Sequence, residues 1–226
     1  LSGESVATVY RYLLPAAVEE RPGDGVGLKW APGTDPFDSR PRPLVLNSAL
    51  PAAQTLLDAF TPEECEAIIA LGERRPLGEG RADAVGVDYR VSKIAWIEPD
   101  EDARWLYHRL GLLVHRANRY YGFELVGFAE PLQYTLYGPG HRFEWHMDLG
   151  AGPASARKLS LTVQLSEASE YEGGDLEFFN ARGEGAVRRP RGSVTFFPSY
   201  LAHRVSPVTR GLRRSLVAWA CGPGFR

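Results

Sequence analysis

The sequence predicts a mainly β protein with helices, a double-stranded β-helix of the jelly-roll or cupin type with supporting N-terminal helices. Three observations predict it. From Leu125 onward short β-rich runs alternate with Gly and Pro. Two amphipathic helical stretches precede them and need a sheet to cover. The length, 226 residues with 44% hydrophobic and 24% charged residues, suits one well-buried domain better than two.

The first helix is expected from Thr61 to about Glu73. Thr61-Pro62-Glu63-Glu64 combines an N-cap, proline at the first helical position and a capping-box glutamate three residues on. The second is expected after Asp100 as far as Tyr121, with Trp105, Leu106, Leu110, Leu113, Val114 and Ala117 on its stripe and Gly122 as its stop. Strands are expected at Leu132–Tyr137, Phe143–Met147, Leu159–Leu165, Asp175–Phe179, Ser193–Phe197, His203–Val205 and Ser215–Ala220. Residues 1–43 are expected to form an irregular N-terminal extension or linker, because Arg21 to Pro43 is dense in Gly, Pro and Asp. The run VATVYRYLLPAA within it stays open between helix and strand. A single domain is then expected over residues 44–226.

Composition narrows the function classes. No apolar run of 18 residues exists to span a bilayer, and a net charge of −2 gives no global attraction to a phosphate backbone. No membrane association is expected, and a nucleic-acid partner is disfavoured. Cys65 and Cys221 lack the dense spacing of a disulfide framework, which points to a cytoplasmic setting. Lysine supplies only Lys29, Lys93 and Lys158 of 26 basic residues, a bias expected of a high-GC bacterium. Residues 1–20 do not read as a signal peptide, and a start at Leu1 suggests a trimmed piece.

The chemistry concentrates in the strand-rich half. His146-Met147-Asp148 sets an imidazole and a carboxylate two residues apart, on one face if the segment is an extended strand. His203 follows Asp148 by 55 residues and can enter from another strand. Two histidines and a carboxylate leave open positions on a metal, the pattern of non-haem Fe(II) oxygenases. Ten residues after His203 stands Arg213, and two further on Ser215. A guanidinium binds a carboxylate through paired hydrogen bonds, so Arg213 suits the far carboxylate of a keto-acid cosubstrate, with Ser215 adding a third bond.

With these motifs the strand-rich half resembles the 2-oxoglutarate/Fe(II)-dependent dioxygenase superfamily, and within it the prolyl 4-hydroxylase-like branch of bacterial stand-alone type. The resemblance runs from about Leu44 to Cys221 and implies Fe(II), 2-oxoglutarate as cosubstrate and O2. It also implies that Tyr137 and Ser160 bind the cosubstrate. On the substrate side it implies Trp219, six residues after Arg213, together with Arg90 and Ser92 of the Arg90-Val91-Ser92…Trp96 segment. Collagen-type members carry lysine where Arg213 stands, which turns the expectation away from a collagen-like substrate. Related halogenases lack the carboxylate ligand, so Asp148 implies hydroxylation.

Other residues admit plainer readings. Trp145 is either a wall of the substrate pocket or a packing aromatic. His108 and His115 lie seven apart on the second helix and read as packing or surface residues, and His141 as a loop residue. Arg188, Arg189 and Arg191 read as a solvated basic loop, and Gly173-Gly174 as a turn. The expected activity is hydroxylation of an amino acid, a peptidyl residue or a natural-product intermediate, with release of succinate and CO2. The partner is therefore a small-molecule or peptide substrate. The alternatives are a nucleic-acid oxidative demethylase, a desaturase or epoxidase with the same iron ligands, and a non-enzymatic jelly-roll binding module. The oligomeric state is left open.

Overall fold

A computed structural model describes residues 53–80, 89–179 and 190–224, and the backbone of two-residue strands at Tyr12–Leu13 and Lys29–Trp30. The expected extension at 1–43 otherwise lies outside the described residues, as do Arg188 and Arg189. In chain order, β1 (Tyr12–Leu13), β2 (Lys29–Trp30) and β3 (Gln54–Leu57) precede helix α1 (Pro62–Glu73). β4 (Gly78–Glu79), β5 (Arg90–Val91) and β6 (Lys93–Ile97) lead to helix α2 (Arg104–Tyr121). Then come β7 (Gly127–Phe128), β8 (Leu132–Tyr137), β9 (Arg142–His146), a 3-10 turn at Gly152–Ala156 and β10 (Arg157–Gln164). The chain closes through β11 (Tyr171–Gly173), β12 (Leu176–Phe178), β13 (Val194–Pro198), β14 (His203–Val205), β15 (Val208–Gly211) and β16 (Arg213–Cys221).

Helix α1 begins where its capping box predicts. Thr61 Oγ1 accepts from the Glu64 amide at 3.2 Å, and Glu64 Oε2 accepts from the Thr61 amide at 2.8 Å. Helix α2 has no side-chain cap at Ala103, but Asp100 Oδ1 accepts the Ala103 amide at 3.1 Å. It ends at Gly122, whose φ of 69° is the left-handed conformation that glycine adopts freely. Trp105 departs from the expected stripe and is 36% exposed. At 100° per residue it lies roughly 110° from the centre of the stripe defined by Leu106, Leu110, Leu113 and Ala117.

All strand pairings are antiparallel. The large sheet runs β2-β3-β13-β10-β16-β8-β6-β4, with β1 and β7 attached through β16. A smaller sheet runs β12-β14-β9-β5, and β11 pairs with β15. The chain passes repeatedly between large and small sheets, which makes the two-layered jelly roll. β4, β5, β7, β11 and β15 are two to four residues long, too short for periodicity to announce them.

The large sheet has two unlike faces because its strands alternate. Leu159, Leu161, Val163, Leu216, Ala218 and Phe196 form one core with Ile68 and Leu71 of α1 and Leu106, Leu110 and Val114 of α2. Tyrosines fasten the helix to the sheet: Tyr107 donates to Ile97 O at 2.8 Å and Tyr121 to Phe196 O at 2.9 Å. The other face carries Gln133, Thr135, Thr162, Thr195, Arg213 and Ser215, all buried. A buried polar face is expensive unless something binds to it, and the small sheet closes over it to leave a cleft. Among the described residues no helix is long and apolar enough to cross a membrane.

Helix α1 approaches β8 so closely that a Cβ on Gly72 would lie 2.3 Å from the Tyr134 ring. Gly72→Ala should therefore destabilise the protein by about 1–3 kcal/mol, although alanine is the better helix former by about 1 kcal/mol. Urea unfolding measures this; a midpoint equal to or above wild type would contradict the contact.

Candidate active site

His146 ends β9 and His203 begins β14, and the two are register partners across the small sheet. Their ring centroids lie 4.1 Å apart. Asp148 lies beyond the end of β9, in a bend, so the shared face expected of an extended His-x-Asp strand is not how the carboxylate arrives. The bend turns it back into the cleft, with the Leu149 amide fixed to Ser199 O at 2.8 Å. Among the described residues this trio is the one cluster of metal-ligating side chains, its ligand atoms all within 4.8 Å of one another.

A β-bulge sets His146. Between the paired positions His203↔His146 and Val205↔Phe143, β14 advances two residues and β9 three. The extra residue breaks the alternation and brings Phe143 and His146 to the same side. Their rings stack at 3.4 Å between centroids, and both line the cleft. Trp145 goes to the other side, against Phe179 and 4.9 Å from the Arg204 guanidinium. It is absent from the cleft lining, and its contacts are those of a packing aromatic.

The imidazoles are oriented for a metal. Nδ1 of His146 faces Glu144 O at 2.7 Å, and Nδ1 of His203 faces Leu201 O at 2.8 Å. A carbonyl oxygen only accepts, so each Nδ1 carries the proton and each Nε2 offers its lone pair. Those Nε2 atoms stand 3.8 Å and 3.7 Å from the Asp148 carboxylate oxygens. Burial, reinforced by His203, pushes His146 down to about 4 against the pull of Asp148, so its ring is neutral at pH 7. Burial alone would raise the Asp148 carboxyl, but the two imidazoles and the Ser160 hydroxyl outweigh it and hold it below its ordinary value. Two imidazoles whose Nδ1 atoms are held by carbonyls, with an ionised carboxylate between them, are the donor set that Fe(II) takes in facial-triad oxygenases, so the residues fit the metal.

Ser160 belongs to this metal-side network. Its hydroxyl donates to Asp148 Oδ2 at 2.6 Å and lies 3.0 Å from Ser199 Oγ. Arg157, which the sequence alone does not single out, grips Glu130 through two bonds of 2.7 and 2.6 Å. It also donates to Asp148 O at 3.1 Å and stacks 3.8 Å from the Trp219 ring.

Arg213, Ser215, Val217 and Trp219 follow one another along the inner face of β16 and all line the cleft, whose atom-free space is about 450 Å³ including its mouth. Arg213 is 3% exposed and has no carboxylate partner among the described residues. Its guanidinium lies 5.5 Å from the Tyr137 ring, across the β8–β16 register pair. Gly174, with φ of 65°, makes room for it; an added Cβ would sit 3.2 Å from Arg213 Cδ. A buried, unpaired guanidinium calls for an anion, and the far carboxylate of a keto-acid fits it. Arg90 lines the same cleft; Ser92 lies behind it, buried, accepting from Arg90 Nε at 2.9 Å. Gln133, Phe143, Thr162, Leu176, Phe197 and Val205 complete the walls, and none carries a sequence motif. Alternation from Arg213 along β16 would have found Val217, but the others come from strands whose facing depends on the closed barrel. Arg191, expected in a solvated loop, is instead mostly buried against Glu66.

Because Ser160 donates to a metal ligand, Ser160→Ala should weaken Fe(II) or Mn(II) binding by about 10–100-fold. Isothermal titration of metal into the metal-free protein reads this, and an unchanged affinity would show that the hydroxyl does not support Asp148.

Residues 132–221 match the family model described as the 2OG-Fe(II) oxygenase superfamily. A PKHD-type hydroxylase of Xylella fastidiosa (strain 9a5c) is 36% identical over 99 residues, 39% of this chain and 43% of that protein. One of Paracoccus denitrificans (strain Pd 1222) is 28% identical over 173 residues, 74% and 76% of the two chains. In several of the matches of higher identity the chain spans about half or less of the curated relatives' length. A solved prolyl-4-hydroxylase of Pseudomonas putida superposes with a TM-score of 0.64 at 25% identity, covering 78% of this chain and 95% of that one. The matched segment begins at β8 and ends with β16, and so contains the candidate metal-ligand trio and Arg213; over these residues the chain is similar to the 2OG-Fe(II) oxygenase superfamily, and the relatives' names support its prolyl 4-hydroxylase-like bacterial branch.

Proposed function

We propose that the chain holds Fe(II) on His146, Asp148 and His203 and 2-oxoglutarate against Arg213, and uses O2 to hydroxylate an unactivated C–H bond. The substrate class is an amino acid, a peptidyl residue or a natural-product intermediate, and the coproducts are succinate and CO2. The observation that carries this is Arg213, buried without a carboxylate partner among the described residues, in the same cleft as the three ligands.

Iron and 2-oxoglutarate, when bound, supply the oxidising chemistry that side chains cannot. The chain's own residues have other tasks. Arg213 and Ser215 hold the distal carboxylate, with Tyr137 beside the guanidinium. Leu176, Phe197, Val205 and Val217 keep the walls apolar and limit water. Ser160 and Arg157 fix Asp148 from its side-chain and main-chain ends. Asp148 itself favours hydroxylation over halogenation, and the names of the related hydroxylases agree with that.

A nucleic-acid substrate is less well supported. Arg142, Arg204 and Arg210, on strands of the smaller sheets, pair with Glu144, Glu177 and Glu172 and so offer phosphate little net charge. The net charge of −2 points the same way.

Mass spectrometry of reactions containing Fe(II), 2-oxoglutarate and a panel of amino acids and prolyl peptides tests the reading. Succinate coupled to a product heavier by one oxygen atom is expected; no succinate under any condition would overturn it. Arg213→Ala should raise the 2-oxoglutarate requirement roughly 30-fold or more, the effect of removing one partner of a buried charged pair. A normal requirement would mean that the cosubstrate carboxylate binds elsewhere.

A further inference from the structure

Two hydrogen-bond donors in the cleft wall have no task in binding metal or cosubstrate. Arg90 donates through Nε to Ser92 and through one terminal nitrogen to Gln133 Oε1 at 3.3 Å, with its guanidinium 4.8 Å from the Phe143 ring. No carboxylate pairs with it among the described residues. Trp219 is 6% exposed, and its indole N–H is buried without an acceptor among the described residues. Gln133 stands between them: it is the register partner of Val217 and of Trp96, whose ring lies 6.4 Å from that of Trp219. Its carbonyl is taken by Arg90 and its amide nitrogen donates to Thr135 at 3.0 Å. This wall therefore presents donors without free acceptors, the complement of a group that only accepts.

Charge leads to the same conclusion. Among the described residues the charged side chains lining the cleft are Asp148, Arg213 and Arg90. With the proposed metal and cosubstrate in place, the Fe(II) charge is offset by the dianionic cosubstrate and Arg213 by Asp148. Arg90 is left uncompensated in a cleft partly shielded from water, where an unpaired charge is costly.

We infer that the wall around Arg90 and Trp219 is a carboxylate-reading subsite, so that the substrate carries an anionic carboxylate close to the carbon that is oxidised. The inference rests on the function proposed above and narrows it. A free amino acid or other small carboxylic acid fits, as does the C-terminal residue of a peptide. An internal peptide residue, whose carbonyl is neutral, leaves Arg90 uncompensated.

The test is calorimetric and uses the protein loaded with Mn(II) and N-oxalylglycine, a cosubstrate analogue that does not turn over. Loading is measured first, and its failure in wild type would overturn the proposed function before any substrate is added. The twenty L-amino acids, their α-amides, and dipeptides with free or amidated C-termini are then titrated. At least one acid should bind about 30-fold or more tightly than its own amide. The same preference confined to dipeptides would identify a peptide C-terminus as the source. Arg90→Gln should reduce the acid-to-amide ratio to below about threefold, and Arg90→Lys, which keeps the charge, should retain part of it. Equal binding of acids and amides, absence of binding by every acid, or an undiminished ratio in both variants would overturn the inference.

Discussion

An ionised carboxylate has to sit between two imidazoles, almost without water, with one side left open. The rest of the molecule is arranged around that requirement for Asp148. Dehydration alone would protonate the group, so the protein surrounds it with the Ser160 hydroxyl, the two imidazoles and the Arg157 side chain. Each support comes from a different element. Ser160 and Arg157 sit on β10 and the histidines on β9 and β14, so the site exists only when the two sheets have closed on each other. The sheet that bears the polar cleft is held flat against α1 and α2 by its other, apolar face. Helices distant from the cleft thereby decide where its floor lies.

Much of this was legible from residue pattern. The capping box at Thr61 and the glycine at 122 fixed helix ends, and β8 and β14 fall within the bounds that alternation suggests. Other strands differ by one or two residues at their ends, where pairing rather than composition decides. The candidate metal ligands stand out because few residue types bind iron and His146 and Asp148 are two residues apart. His203, 55 residues on, and Arg213, ten beyond it, stand out through a spacing that resembles the family's.

What was not legible depends on contacts between segments remote in the chain. Nothing in the local sequence says that the Ser160 hydroxyl will meet Asp148, which arrives from the bend after β9, a strand of the other sheet. Arg157 is anonymous until Glu130, Asp148 and Trp219 are brought around it. Trp145 was ambiguous because alternation fails in β9, where one extra residue interrupts it. Two-residue strands such as β4, β5 and β7 carry too few residues for any period to emerge.

That extra residue makes the geometry of the metal centre a matter of counting. Between Phe143 and His146, β9 carries one more residue than β14 opposite it. Were those three steps regularly paired, alternation would put Phe143 and His146 on opposite faces, and the imidazole would stand on the outer surface beside Arg204 instead of next to His203. The irregular ladder is what lets an odd number of steps bring two side chains to one side.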